Sequence, residues 1–100
     1  LYYTTAASAN WTLNIRANSS VSLNALMITG QALTVTHLVT QGATAYYASA
    51  VTIDGNAITP KWQGAAPSAG NANNVDAYTF TVIKTADATF TVFASQVGFA

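Results

Sequence analysis

Two-residue alternation of apolar and polar side chains recurs along this chain, and it restricts the fold more than any other feature. In residues 11–16 the apolar set Trp11, Leu13 and Ile15 alternates with Thr12, Asn14 and Arg16. Successive side chains of a strand point to opposite faces, so such a run is a strand with one face on a core. Leu33, Val35, His37 and Val39 form a second row, opposed by Thr34, Thr36 and Thr40 with Leu38 among them, and Gln41 and Gly42 end it. Tyr78, Phe80 and Val82 alternate with Thr79, Thr81 and Ile83; Phe90, Val92 and Ala94 then alternate with Thr89, Thr91 and Phe93. Apolar stripes at helical spacing do not persist, so strands are expected to supply nearly all regular structure.

Turn chemistry separates these runs. Asn18, Ser19 and Ser20 read as a turn, and residues 21–28 as a short strand followed by a loop ending at Gly30. Residues 45–53 read as a strand that Asp54 and Gly55 turn back into residues 57–59, because Asp-Gly tolerates the positive φ of a tight hairpin. Pro60 cannot donate to a ladder, so it closes the hairpin or sits on an edge, and Lys61 and Trp62 are expected to leave the sheet. Residues 85–87 turn a second hairpin, whose aromatic residues can pair across one face. Residues 63–74, QGAAPSAGNANN, have no periodicity and form the longest loop, of a length usually functional or pinned by a partner.

Six to eight short strands at regular spacing argue an all-β fold, a two-layer antiparallel β-sandwich or jelly roll, with a closed barrel as the alternative. The 100 residues suffice for one domain spanning 1–100. A chain that opens on Leu1 rather than Met reads as a piece of a longer polypeptide. No apolar run approaches the roughly 18 residues of a membrane span, and no basic segment precedes an apolar stretch near the start.

Charge narrows the function. Only 6% of residues are charged, against about 25% in an ordinary soluble domain, and Arg16, Lys61 and Lys84 balance Asp54, Asp76 and Asp87. Nothing steers the chain to nucleic acid or an anionic membrane. A neutral surface of Thr, Ser, Asn and Ala is also poorly guarded against association, so neighbours are expected to cover much of it. With no cysteine and one histidine, neither a disulfide nor a thiolate metal site is available, and no cofactor is expected.

The residues that carry chemistry elsewhere are scattered here. His37 replaces an apolar residue in its strand row with no carboxylate nearby in sequence to orient it, so a histidine bonded to a neighbour at an edge or interface is expected rather than a catalytic base. Asp54 and Asp87 fall in turns, where aspartate bonds its own backbone. Asp76, at the exit of the long loop, reads as a loop anchor, with metal or partner contact as the lesser alternative. No nucleophile elbow or phosphate-cradling glycine loop is present, and the reading is non-enzymatic. Asn10-Trp11-Thr12 and Asn18-Ser19-Ser20 match the glycosylation sequon, a frequent accident in Asn- and Thr-rich sequence. The functional hint lies in aromatic residues: Tyr2 and Tyr3, the pair Tyr46 and Tyr47, and Trp62 beside the long loop. Tyr46, Tyr47, Trp62 and Asp76 are the candidate interface or glycan contacts, since aromatic platforms anchor interfaces and stack on sugars. The competing reading is that these rings cover the core.

The blocks THLVTQGATAYYASAVTIDGNAITPKWQGAAP, AGNANNVDAYTFTVIKT and ATFTVFASQVGFA carry a resemblance across about three-quarters of the chain, from Leu23 onward. Each block is strand and turn vocabulary, and their order and spacing make the match. The chain resembles the C-terminal modules of virion structural proteins of marine tailed phages, including those infecting cyanobacteria. That resemblance implies a tail-fibre-like or other structural module on the virion exterior, as capsid decoration or as part of a tail or fibre. It implies contacts with other virion proteins, and no catalytic residue. It agrees with the expectation of a homo-oligomer, a trimer or lattice, pairing through strands near each end. The alternative function is a carbohydrate- or host-receptor-binding module that meets a surface glycan through exposed aromatics.

Overall fold

The computed structural model describes the backbone of residues 2–99 and the side chains of residues 3–99. Among the described residues eight strands and one short helix follow in order: β1 (Tyr2–Tyr3), β2 (Trp11–Ile15), α1 (Leu23–Leu26), β3 (Ala32–Thr40), β4 (Ala48–Ile53), β5 (Asn56–Ile58), β6 (Lys61–Trp62), β7 (Val75–Ala86) and β8 (Thr89–Phe99). A five-stranded sheet in the order β1-β3-β7-β8-β6 packs on a three-stranded sheet in the order β2-β4-β5. The result is a two-layer sandwich and not a closed barrel.

Both sheets are mixed, where an antiparallel sandwich is expected from the sequence. The two hairpins, β4–β5 and β7–β8, are antiparallel, as is β3–β7. β1 runs parallel to β3, β2 to β4 and β6 to β8. Parallel neighbours need crossover connections, and here these carry the chain repeatedly from one sheet to the other.

The alternating rows converge on one core. Tyr78, Phe80 and Val82 of β7 and Val92 and Ala94 of β8 meet Leu13, Ile15, Ala48, Val51 and Ile53 of the smaller sheet. Each large apolar side chain fully buried this way contributes about 1.5–3 kcal/mol. Ala48 and Val51 both face inward despite their odd separation. The register slips between Trp11 and Thr12 opposite β4, leaving Ser49 as the extra residue of a bulge.

The Asp54-Gly55 turn forms as expected, with φ of 52° and 80° at its two residues. Residues 45–47 precede β4 instead of belonging to it, and Lys61 and Trp62 do not leave the sheet. They add a parallel edge to β8, Lys61 opposite Phe93 and Trp62 opposite Ala94, with the Trp62 ring edge-on to Phe80 at 5.9 Å.

The segment read as a strand near residue 23 is helical. Ser22 caps α1, its hydroxyl accepting the Ala25 N–H at 3.1 Å, and Leu23 and Met27 bury into the core. Asp54 accepts the N–H groups of Leu23 and Asn24 at 2.6 and 3.0 Å, and Asp87 accepts from the Asn24 amide at 3.0 Å. These two carboxylates therefore serve α1 more than their own turns. Buried Lys84 donates to the Asn24 and Met27 carbonyls at 2.8 and 3.0 Å. The helix thus closes the end of the sandwich where the two hairpin turns meet.

Candidate functional site

At the other end of β7 a polar knot ties the long loop to the corner after β3. Fully buried Asp76 accepts the Asn71 backbone N–H at 3.0 Å, the Asn71 side-chain amide at 2.7 Å and the Gln41 amide at 2.9 Å. Gln41 also donates to the Tyr46 carbonyl and accepts the Tyr46 N–H at 3.0 Å, standing in for a backbone partner. Asn73 N–H donates to the Gly42 carbonyl, and Gln41 N–H to that of Asn74. Asp76 is thus the loop anchor, and its carboxylate presents nothing to the surface.

The aromatic candidates occupy different settings. Trp62 packs edge-on against Tyr78 and Phe80 inside the sandwich and is half-buried. Tyr46 and Tyr47 are half-buried at the corner before β4, where Tyr47 N–H donates to the Asn10 side chain at 3.0 Å. The structure does not bring Tyr46, Tyr47, Trp62 and Asp76 together as one lined surface. Tyr2 is a candidate whose side chain lies outside the described residues.

Two other features stand out, and the first is the outer face of the larger sheet. Register places Thr34, Thr36, Leu38 and Thr40 of β3 beside Thr81, Thr79, Ala77 and Val75 of β7, and these beside Phe93, Ser95, Val97 and Phe99 of β8. Among the described residues this face carries one charge, Lys61 at its β6 margin. Phe93, Val97 and Phe99 remain 47%, 49% and 57% exposed. Among the described residues no strand pairs with β8 on that side beyond the two residues that meet β6.

The second feature is a pocket of about 430 Å³ between the segment after β1 and the inner ends of β2 and β3, lined by Tyr3, Trp11 and His37 among others. The parallel β1–β3 pairing sets Tyr3 opposite Val39, which lays its ring edge-on to His37 at 5.3 Å. Trp11 meets the same imidazole at 5.9 Å, and Tyr78 lies behind it at 5.9 Å. His37 is 1% exposed, and burial lowers its pKa, so the neutral ring prevails near neutral pH. Among the described residues neither of its nitrogens, nor buried Trp11 Nε1, has a hydrogen-bond partner. The bonded histidine expected from the sequence is not what forms. Each buried polar group left unpaired costs about 1–3 kcal/mol, so three around one pocket are a feature in need of a cause.

By contrast, Tyr78 is well served: its hydroxyl accepts the Ala48 N–H at 3.2 Å and the Gln96 amide at 2.8 Å, linking the two sheets, and burial raises its pKa. Among the described residues no three His, Cys, Asp or Glu side chains gather as metal ligands. No protein-family model, curated protein or solved structure matches the chain.

Proposed function

We propose that the chain is a non-enzymatic structural module of a phage particle, exposed on the virion exterior as capsid decoration or as part of a tail or fibre, and that it works by assembling with copies of itself. The observation that carries this reading is the outer face of the five-stranded sheet, where Phe93, Val97 and Phe99 stand about half exposed with one marginal charge among the described residues. Soluble monomers guard such faces and edges with charge.

The partner is a second copy because a neutral face neither repels nor electrostatically selects, and a two-fold axis matches it to itself. Its size suffices. The molecule measures 42 × 30 × 19 Å, the thin dimension being that of two stacked sheets. A broad side of this slab offers on the order of 1,000 Å², above the roughly 800 Å² per partner of a stable interface. The resemblance of the three sequence blocks to virion modules supports the setting.

Light scattering across a hundredfold dilution tests the reading. A persistent dimer or larger species that becomes monomeric in Val97→Lys supports assembly through this face. A wild-type monomer at every concentration overturns it.

A further inference from the structure

The His37 pocket has no part in that assembly reading, since its residues lie between the sheets and not on the outer face. Its distinguishing feature is the gathering of three unpartnered nitrogens, His37 Nδ1 and Nε2 and Trp11 Nε1, beneath one cavity. A neutral imidazole offers one donor and one acceptor, and the indole offers a donor. The complement is a ligand that both gives and takes hydrogen bonds without charge, and that is what a hydroxyl group does. A carboxylate or phosphate supplies acceptors alone, and an ammonium group donors alone.

The walls narrow the class further. Tyr3 and Trp11 provide ring surfaces, Thr5 and Ser8 stand among the lining residues, and among the described lining residues none is charged. Ring surfaces with a few converging polar groups suit a compact ring that is apolar on its faces and hydroxylated around its rim. The volume of about 430 Å³ falls within the range of small-molecule clefts. A larger cavity of about 500 Å³ beside Trp62 is lined mainly by Ala, Pro and Val, and none of its side chains carries an unpartnered buried nitrogen, so it makes no comparable demand.

We infer that this pocket is a binding site for a neutral pyranose sugar, with hydroxyl groups bonded to the His37 ring and to Trp11 Nε1. The nitrogens lie under the pocket surface, so the ligand reaches them by displacing the segment of residues 4–10. Among the described residues that segment is lightly held: besides the short β1–β3 pairing, the Ala7 N–H donates to the Thr40 carbonyl at 3.0 Å and Asn10 accepts from Tyr47 at 3.0 Å. Binding and outward movement of this strap are one event.

The test is a titration of the ¹⁵N-labelled chain, followed by the two indole N–H resonances. The probes are glucose, galactose, N-acetylglucosamine and their methyl glycosides, with glucuronate as the charged comparison. The expected result is a saturable shift of the Trp11 resonance with at least one neutral sugar, no shift of Trp62, and faster amide exchange over residues 4–10 in the bound state. Tyr3→Ala, at an exposed position that leaves the core intact, is expected to weaken binding by roughly tenfold. A methyl glycoside bound as well as the free sugar assigns the site to the end of a glycan chain, and loss of binding on methylation assigns it to a free sugar. No saturable shift with any neutral sugar, equal response to glucuronate, or a shift at Trp62 in place of Trp11 overturns the inference. None of these readouts depends on the oligomeric state that tests the assembly reading.

Discussion

At the scale of single residues, space and backbone angle decide which substitutions matter. A Cβ at Gly70 would run into the Tyr46 carbonyl oxygen and the Gln41 amide and meet the Asp76 carboxylate at 3.0 Å. Gly70→Ala must therefore break the knot that holds the long loop, and it is expected to cost about 1–3 kcal/mol in urea unfolding. Ala88 shows the opposite case, since it holds φ at 50°, a conformation costing about 1–2 kcal/mol for an L-residue. Ala88→Gly removes that strain and gives back about 0.4–1 kcal/mol through the freer unfolded chain, so a net gain of a few tenths to 1 kcal/mol is expected as a higher melting temperature. His37 adds a pH dependence whose sign follows from burial. Its folded pKa lies below the unfolded value of 6.5, so the unfolded chain takes up the proton first. Stability is therefore full above pH 6.5 and falls as the pH drops below it, with a slope approaching 1.4 kcal/mol per unit. Denaturant melts of His37→Phe should lack that slope.

At the scale of elements, what was legible in the sequence is what local chemistry decides. The alternating rows of β2, β3, β7 and β8, the Asp54-Gly55 hairpin and the loop over 63–74 follow from side-chain period and turn residues. Helix α1 did not show because a single turn is too short for a periodic stripe, and it is held by distant residues. Its partners Asp54 and Lys84 lie 30–31 and 57–60 residues away. Asp54→Asn separates that role from the turn, because Asn accepts the same positive φ. Losing the carboxylate at two helix N–H groups is expected to cost about 1–2 kcal/mol, with the hairpin's cross-strand contacts retained by NMR. Lys84→Met keeps the buried stem and strands the two carbonyls, for a loss of about 1–3 kcal/mol. The two-residue strands β1 and β6 were equally hidden, since nothing local marks a parallel pairing. For that reason the grouping of Tyr3, Trp11 and His37 could not be read from spacing. Trp11 and His37 showed only as members of two separate strand rows.

At the scale of the whole molecule, the near absence of charge decides how copies would meet in the proposed assembly. If association runs through the outer face, its driving force is apolar burial around Phe93, Val97 and Phe99, with threonine hydroxyls filling the rows between. Attraction between opposite charges weakens as added salt shortens the Debye length from about 10 Å at 0.1 M to about 3 Å at 1 M. An interface whose one charge among the described residues is Lys61 at its margin has almost nothing to screen. Sedimentation velocity is therefore expected to give the same oligomer at low and high sodium chloride, and a stronger one in sulfate, which favours burial by exclusion from the protein surface. Phe93→Lys should reverse this pattern by setting a like charge on the apposed face of each copy, so that the variant is monomeric in dilute buffer and recovers association as salt screens the repulsion. Dissociation of the wild type by sodium chloride would mean instead that its few charges hold the copies together, and would move the interface from the sheet face to the end of the sandwich where Asp54 and Asp87 lie.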